Sequence, residues 1–306
     1  MSSLPQPSAV LITGAAGGIG QALCAEFLAA GWHVLATDHP SALPAPCPEL
    51  PAPSSQLRAP GSPLAAVTWL PLDLAAYVRD PDVRQTFAAQ VRAALAAPCS
   101  PLPAPVSAPA ASLLPLGDSE LPAPGCPLPA PRSLPLRCLV NNAAVQRLGA
   151  TDAVTTEDWD LSLGINLVAP FLLAQVFLPE LEANQGSVVN IASIHAQLTK
   201  PGFVVYATTK AALAGMTRAL AVDLGSRVRV NAICPAAIAT PMLEAGFAGR
   251  PDARRQLDEF HPAGHIGQPA EVARLAVFLA RPDCPFLTGS CLTLDGAICG
   301  RLHDPA

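Results

Sequence analysis

Two periodicities divide most of the chain. Short apolar runs at Ala9–Thr13, 32–37, 67–70, 136–140, Ser187–Ile191, 228–233 and 290–294 have the length and β-branched content of buried strands. Between them lie longer stretches with helical spacing at 21–30, 81–97, 156–181, Val204–Leu224 and Pro269–Ala280. Strands that are apolar on both faces and alternate with helices predict an α/β fold, a doubly wound parallel sheet of the Rossmann type. In such a sheet ligands bind beyond the carboxyl ends of the strands, so the residues that follow each run are the ones to inspect.

Two segments interrupt the alternation. Residues 41–65 and 98–136 are dominated by Pro, Ala, Leu and Ser, and the tetrapeptide L-P-A-P recurs at Leu43, Leu50, Leu102, Leu121 and Leu128. Proline at that density excludes helix and central strand, so both read as extended, polyproline-like surface insertions in a single domain spanning 1–306. Low-complexity expansion explains them more simply than partner-binding arms do.

The chain's 306 residues are enough to bury a full core. A net charge of −5, with 13% charged residues and no basic cluster, leaves no electrostatic footprint for nucleic acid or an anionic membrane. A small-molecule substrate fits better. The most apolar stretch, 167–178, is broken by Pro170 and Gln175 and reads as a buried helix, not a membrane span. The N-terminus lacks the basic region of a secretory signal, which points to the cytoplasm. Nine cysteines, odd in number and without a C-x-x-C, favour free thiols over disulfides or metal ligation.

The first strand runs directly into G-A-A-G-G-I-G and then a helix. Gly14, Gly18 and Gly20 would let backbone N–H groups approach a pyrophosphate at the positive end of that helix. The second strand ends in Asp38, where the dinucleotide fold carries the acid that accepts from the ribose hydroxyls. A carboxylate there repels a 2′-phosphate, and the next residue is His39, not an arginine, so NAD is expected in preference to NADP. Asp73, after the third strand, either reaches the adenine amino group or caps the following turn.

The densest chemistry runs from Ser193 to Lys210. Tyr206 and Lys210 are four apart in an Ala-rich helical run, so phenol and ammonium emerge on one face. At about 4 Å and an effective dielectric near 20 their Coulomb attraction is roughly 4 kcal/mol, about three pK units in favour of the phenolate before desolvation. Tyr206 is therefore expected to act as a general acid or base near neutrality. The chain has only two tyrosines, and its only lysines are Lys200 and Lys210, so an accidental Y-x-x-x-K is a weak explanation.

The ordered set T-G-A-A-G-G-I-G, Asp38, Asp73, N-N-A-A at 141–144, Asn166, Ser193, Tyr206-x-x-x-Lys210 and P-A-A-I-A-T resembles the classical short-chain dehydrogenase/reductase family. The resemblance covers nearly the whole chain outside the insertions, and the gap between Ser193 and Tyr206 is typical of the family. It implies that Tyr206 exchanges a proton with the substrate oxygen and that Ser193 hydrogen-bonds that oxygen. Lys210 would lower the phenol's pKa and hold the nicotinamide ribose, and Asn166 would hold a water linking Lys210 to solvent. It also implies cofactor contacts from Gly14, Gly18, Ile19, Gly20, Asp38, Asp73, Leu74, Asn142, Ile238 and Thr240. Family members commonly form homodimers or homotetramers through helices corresponding to 156–181 and Val204–Leu224. The family usually has glycine where this chain has Ala144, Ala236 and Ala297, and Ala236 would crowd the nicotinamide unless its φ is negative. Candidate substrate contacts are Gln146, Arg147, His195, Gln197, Phe203, Met242, Leu243 and Phe247, and 240–265 resembles a mobile lid. The leading expectation is an NAD-dependent dehydrogenase of an alcohol, polyol, sugar or hydroxy acid. The alternatives are an NADPH-linked oxoacyl reductase and a non-catalytic NAD-binding sensor or scaffold.

Overall fold

The structure, a computed structural model, describes residues 8–43, 67–97 and 133–302. Seven strands, β1 (Ala9–Thr13), β2 (His33–Asp38), β3 (Val67–Pro71), β4 (Leu136–Asn141), β5 (Ser187–Ile191), β6 (Arg229–Pro235) and β7 (Cys291–Leu294), form one sheet in the order β3-β2-β1-β4-β5-β6-β7. Every neighbouring pair is parallel. The order reverses between β1 and β4, which puts a crevice at their carboxyl ends.

The helices are α1 (Gly18–Ala29), α2 (Leu74–Arg79), α3 (Pro81–Ala96), α4 (Thr156–Leu163), α5 (Ala169–Val176), α6 (Leu178–Ala183), α7 (Val204–Leu224), α8 (Pro241–Gly246), α9 (Pro251–Phe260) and α10 (Pro269–Ala280). Strand side chains alternate between the faces. Ala9 and Leu11 join Leu139, Val188 and Val230 in a core completed by Tyr77 of α2, Phe87 and Val91 of α3, Leu173 of α5 and Leu224 of α7. Val10 and Ile12 face the other way, onto Leu23 and Phe27 of α1 and Val272, Ala276 and Leu279 of α10. This two-sided burial is why the strands read as continuous apolar runs.

Two expectations need correction. The segment expected as one helix over 156–181 is divided: a π-helical turn at Gly164–Val168 separates α4 from α5, and α6 starts after Phe177. Its Thr156–Val176 portion does reach the length and apolarity of a membrane span, with mean hydropathy 1.3. Its residues Asn166, Ala169, Pro170, Leu173 and Ala174 are nevertheless buried against the protein's own core. The insertion drawn over 98–136 extends too far. Leu134 and Leu136 are buried in the core, and the Leu134 N–H donates to the Leu95 carbonyl at 2.8 Å, so the chain is back on the domain by 134. Leucine in a Pro/Leu-rich context carried no signal of that return. Residues 98–132 and 44–66, where most of both insertions falls, lie outside the described residues.

The replacements of family glycines by alanine resolve individually. Among the described residues, the non-glycine residues at positive φ are Gln185 and Ala297, so Ala144 and Ala236 keep ordinary backbone. Ala297 has φ 67°, in the left-handed region that costs an L-residue about 1–2 kcal/mol. Glycine avoids that strain but adds unfolded-state entropy worth about 0.4–1 kcal/mol. Ala297→Gly is therefore expected to stabilise the protein by up to about 1 kcal/mol, read as a shift of the urea midpoint at unchanged slope.

Candidate active site

The carboxyl ends of β1 and β4 are tied together by two side-chain groups and a glycine turn. Gly14 turns the chain at φ 65°, and a Cβ there would lie 2.7 Å from the Ala143 Cα, so only glycine lets the turn abut β4. The Asn142 amide donates to the carbonyls of Thr13 and Gly14 at 3.0 and 2.9 Å. The Thr13 hydroxyl accepts from the N–H groups of Asn142 and Ala143 at 3.0 and 3.1 Å. Asn142 is thus a brace of the glycine turn. Thr13 was missed in the sequence because a threonine ending a strand looks ordinary.

A Cβ on Gly20 would sit 2.0 Å from the Gly14 carbonyl oxygen, and one on Gly18 would meet Pro241 and Thr240 at 2.9 and 3.0 Å. The glycines therefore close the turn and admit the segment that follows β6. Helix α1 starts without a side-chain cap and without an acid in its first turn, which leaves the positive pole of a 12-residue helix to an anion. The side chain of Ile19 packs into the core behind that turn.

Asp38 stands at the end of β2. Its two oxygens accept from Ala16 N–H at 2.9 Å and His39 N–H at 2.7 Å. It lines a cavity of about 260 Å³ together with Thr13, Gly14, Leu74, Ala143 and Ile165. Asp73 takes the capping role: its Oδ1 accepts from Ala75 and Ala76 N–H at 2.8 and 3.2 Å at the start of α2. Across the site, Ile238 is buried and bridges to Gly267, and the Thr240 hydroxyl caps α8 by accepting from Leu243 N–H at 3.2 Å.

Ser193 is buried just beyond β5, and its hydroxyl accepts from His195 N–H at 3.2 Å. One turn apart on α7, Tyr206 and Lys210 face it. The Lys210 ammonium is buried, donates to the Ile191 carbonyl at 2.7 Å, and lies 5.7 Å from the centroid of the Tyr206 ring. Burial pushes Lys210 down to about 8.

The expected depression of Tyr206 does not appear. Burial pushes its phenol above the usual 10, opposed by the neighbouring Ser193 hydroxyl. Desolvation of the phenolate thus outweighs the ammonium, which lies beside the ring while its proton is directed at the Ile191 carbonyl. Tyr206 is consequently protonated at neutral pH.

Asn166 lies in the π-turn, which rotates its amide into the interior. Its Oδ1 accepts from Val145 N–H at 2.8 Å, and its Nδ2 donates to the Val145 carbonyl at 2.9 Å and the Thr209 hydroxyl at 3.0 Å. Thr209 in turn donates to the Tyr206 carbonyl at 2.9 Å. The Asn166 side chain thus clamps the loop after β4 to α7. Thr209 was a further residue missed in the sequence.

Beside Tyr206, the His195 ring stacks on Phe203 with centroids 4.5 Å apart. Its edge meets Tyr206 at 5.7 Å. Burial, then the Lys200 charge, holds His195 below its usual value, so it is neutral at pH 7. Arg147 is exposed with its guanidinium 3.7 Å from Asp158, and Met242 is 80% exposed.

Residues 134–298 match the family model described as Enoyl-(Acyl carrier protein) reductase. The chain is 36% identical over 163 residues to the 3-oxoacyl-[acyl-carrier-protein] reductase FabG of Thermotoga maritima, covering 52% of this chain and 65% of that protein. It is 38% identical over 161 residues to the D-threitol dehydrogenase of Mycolicibacterium smegmatis, covering 52% and 61%. The chain thus matches less than two thirds of the length of these curated relatives. Among solved structures, an oxidoreductase of the short chain dehydrogenase/reductase family from Burkholderia thailandensis superposes with TM-score 0.69 at 29% identity, over 97% of this chain and 94% of that one. A putative NAD(P) dependent gluconate 5-dehydrogenase from Beutenbergia cavernae, with bound NADP at low occupancy, shares the fold. That match has TM-score 0.72 at 24% identity, over 98% of this chain and 100% of the other.

Burial of Lys210 makes a stability prediction. Its folded value of about 8 lies below the 10.5 of the exposed group. Between those pH values the unfolded chain holds a proton that the folded one has lost, so stability rises with pH across that window. Below pH 8 the buried charge costs at most roughly 3 kcal/mol, from 1.36 kcal/mol per pK unit, partly offset by the bond to Ile191. Lys210→Met is expected to melt no lower than the parent at pH 7, with the parent gaining on the variant from pH 8 to 10.5. Melting curves across that range check it.

Proposed function

Because the chain belongs to the short-chain dehydrogenase/reductase family, we propose that it is an NAD-dependent oxidoreductase moving a hydride between nicotinamide and the secondary alcohol or ketone carbon of a small metabolite. The observation that carries this reading is the convergence of Ser193, Tyr206 and Lys210 at the same carboxyl edge of the sheet that carries the glycine turn. The residues fit a dinucleotide: the Gly14 turn lines a cavity that Asp38 also borders, and α1 presents an uncapped positive pole. The N–H groups after Gly14 would hold the pyrophosphate and Asp38 the adenosine ribose. Lys210 and Tyr206 would hold the nicotinamide ribose, with Leu74, Ile238 and Thr240 flanking the cofactor. When bound, the nicotinamide supplies or takes up the hydride.

The side chains manage the proton. In reduction, the Tyr206 O–H bond breaks as the new alcohol O–H forms, with Ser193 hydrogen-bonded to the same oxygen. The Lys210 ammonium favours the phenolate left behind, and oxidation runs the same transfer in reverse. A neutral phenol at pH 7 suits the reductive direction, so ketone reduction should fall on the alkaline side while alcohol oxidation rises with pH. The short-chain family's known oligomers suggest assembly through the helices 156–176 and α7, on which Val168, Phe171 and Val204 are exposed.

A second reading, an NADPH-linked oxoacyl reductase, is favoured by the identity to the Thermotoga maritima reductase. Asp38 speaks against NADPH, because a carboxylate at the end of β2 repels a 2′-phosphate. Purified protein is expected to bind NADH at least tenfold more tightly than NADPH in a fluorescence titration (about 1.4 kcal/mol). Equal affinities, or the reverse order, would support the second reading.

Tyr206→Phe removes one proton-transfer group and leaves the ring in place. Turnover, once found in a screen of alcohols and ketones, is expected to drop by about 100-fold to 10,000-fold while NADH affinity is retained. A variant keeping half the parent rate would remove Tyr206 from its role.

A further inference from the structure

Between Ile238 and His261, both buried, none of residues 239–260 is buried. They include α8 and α9, the two described α-helices that bury no side chain. Core packing, the usual source of helix stability in a protein, is therefore missing here, and polar ties must hold the segment. The far end of α9 is fastened. The Arg301 guanidinium donates to the carbonyls of Glu259 and Phe260 at 3.3 and 3.2 Å, the His261 ring donates to the Leu257 carbonyl at 2.8 Å, and Asp258 Oδ1 accepts from the N–H of buried Ile266 at 2.9 Å. Helix α8 has no such fastening. Its start lies against the glycine turn, where a Cβ on Gly18 would meet Pro241 and Thr240, and its one long tie runs through Arg254 on α9. The Arg254 Nε–H is shared between both oxygens of Glu244 at 3.0 Å each, and Nη1 lies 2.7 Å from Asp258 Oδ2. Among the described residues, the remaining side-chain bonds of the two helices span four residues or fewer.

We propose that Arg254 is a positioning residue that straps α8 to the fastened end of α9 over the cofactor turn, so that breaking the Arg254–Glu244 tie opens the way for the nicotinamide dinucleotide to leave. The part that concerns the dinucleotide rests on the NAD-binding reading above. The strap itself is a line of alternating charge: Glu244, Arg254, Asp258, then the backbone of the core at Ile266. A lone exposed pair contributes little to stability, but here one cation serves two carboxylates and the line ends in a bond to a buried residue.

Two consequences follow from where the strap lies. Its three side chains are 23%, 46% and 31% exposed for Arg254, Glu244 and Asp258, so dissolved salt reaches them. The screening length falls from about 10 Å at 0.1 M ionic strength to about 3 Å at 1 M, which weakens these pairs and leaves the apolar core alone. Opening of α8 also uncovers Gly18 and Thr240 without touching the proton-transfer group, since Lys210 is tied to the Ile191 carbonyl of β5 and not to the α8–α9 segment. The strap therefore sets how long the cofactor stays, and salt sets the strap.

Two measurements on the full chain separate the strap from the cofactor reading. Hydrogen exchange of the free protein needs no ligand: peptides covering 241–250 are expected to exchange about threefold to fivefold faster in Glu244→Gln and in Arg254→Met than in the parent at about 0.1 M NaCl, with the difference closing at about 1 M. Peptides of α7 and the melting temperature of Glu244→Gln are expected to be unchanged. Glu244→Gln keeps the size of the side chain and leaves Arg254 paired with Asp258, so it frees α8 alone even if Arg254→Met disturbs α9. The second measurement is NADH release by stopped-flow displacement, expected to be faster in both variants by a similar factor at the lower salt, with the parent approaching them at the higher. A merely structural role would lower the melting temperature without that salt dependence. Unchanged exchange at 241–250, or NADH release that differs from the parent equally at both salt concentrations, would overturn the proposal. The expected exchange pattern in a protein that binds no NADH would overturn the cofactor reading instead and keep Arg254 as the strap of α8.

Discussion

The buried ammonium of Lys210 is the constraint on which the rest of the site depends. A charge taken out of water needs a strong local acceptor, and the Ile191 carbonyl at the end of β5 provides it at 2.7 Å. That bond fixes the first half of α7 against the sheet and so sets Tyr206 one helical turn away. It also places Ser193, two residues beyond Ile191, beside the phenol. The same desolvation that holds Lys210 down pushes Tyr206 up, so the free protein stores a protonated phenol next to a cation whose charge is weakly held.

Two polar clamps keep this arrangement in register with the glycine turn. Thr13 and Asn142 tie β1 to β4, and Asn166 ties the loop after β4 to Thr209 on α7. A third pairing, Asn141 to Asn190 at 2.8 Å and Asn190 to Thr217 at 2.9 Å, joins β4, β5 and α7 below the site. Buried amides of this kind hold a conformation only when their partners are present, and here each has them.

Much of the fold was legible because burial on both faces leaves parallel strands as uninterrupted apolar runs, and each predicted strand ends within one or two residues of the observed one. The chemistry at Ser193, Tyr206 and Lys210 was legible because it is carried by residue type and spacing. What escaped depends on the third dimension. The π-turn that redirects Asn166 leaves no local signature, the cap that Asp73 forms is seen only with α2 in place, and Leu134 looks like its neighbours at 128 and 121. The direction of the Tyr206 shift was misjudged because a pairwise Coulomb estimate contains no desolvation.

The composition of the chain makes the central claim directly measurable, since NMR of protein labelled at the lysine side chains and the tyrosine rings contains only Lys200, Lys210, Tyr77 and Tyr206. A pH titration of the free protein is expected to show one lysine titrating near 8 and lost on Lys210→Met, and Tyr206 titrating above 10. The absence of any lysine titrating near 8, or Tyr206 ionising below 10, would contradict a site organised by a buried, desolvated ammonium.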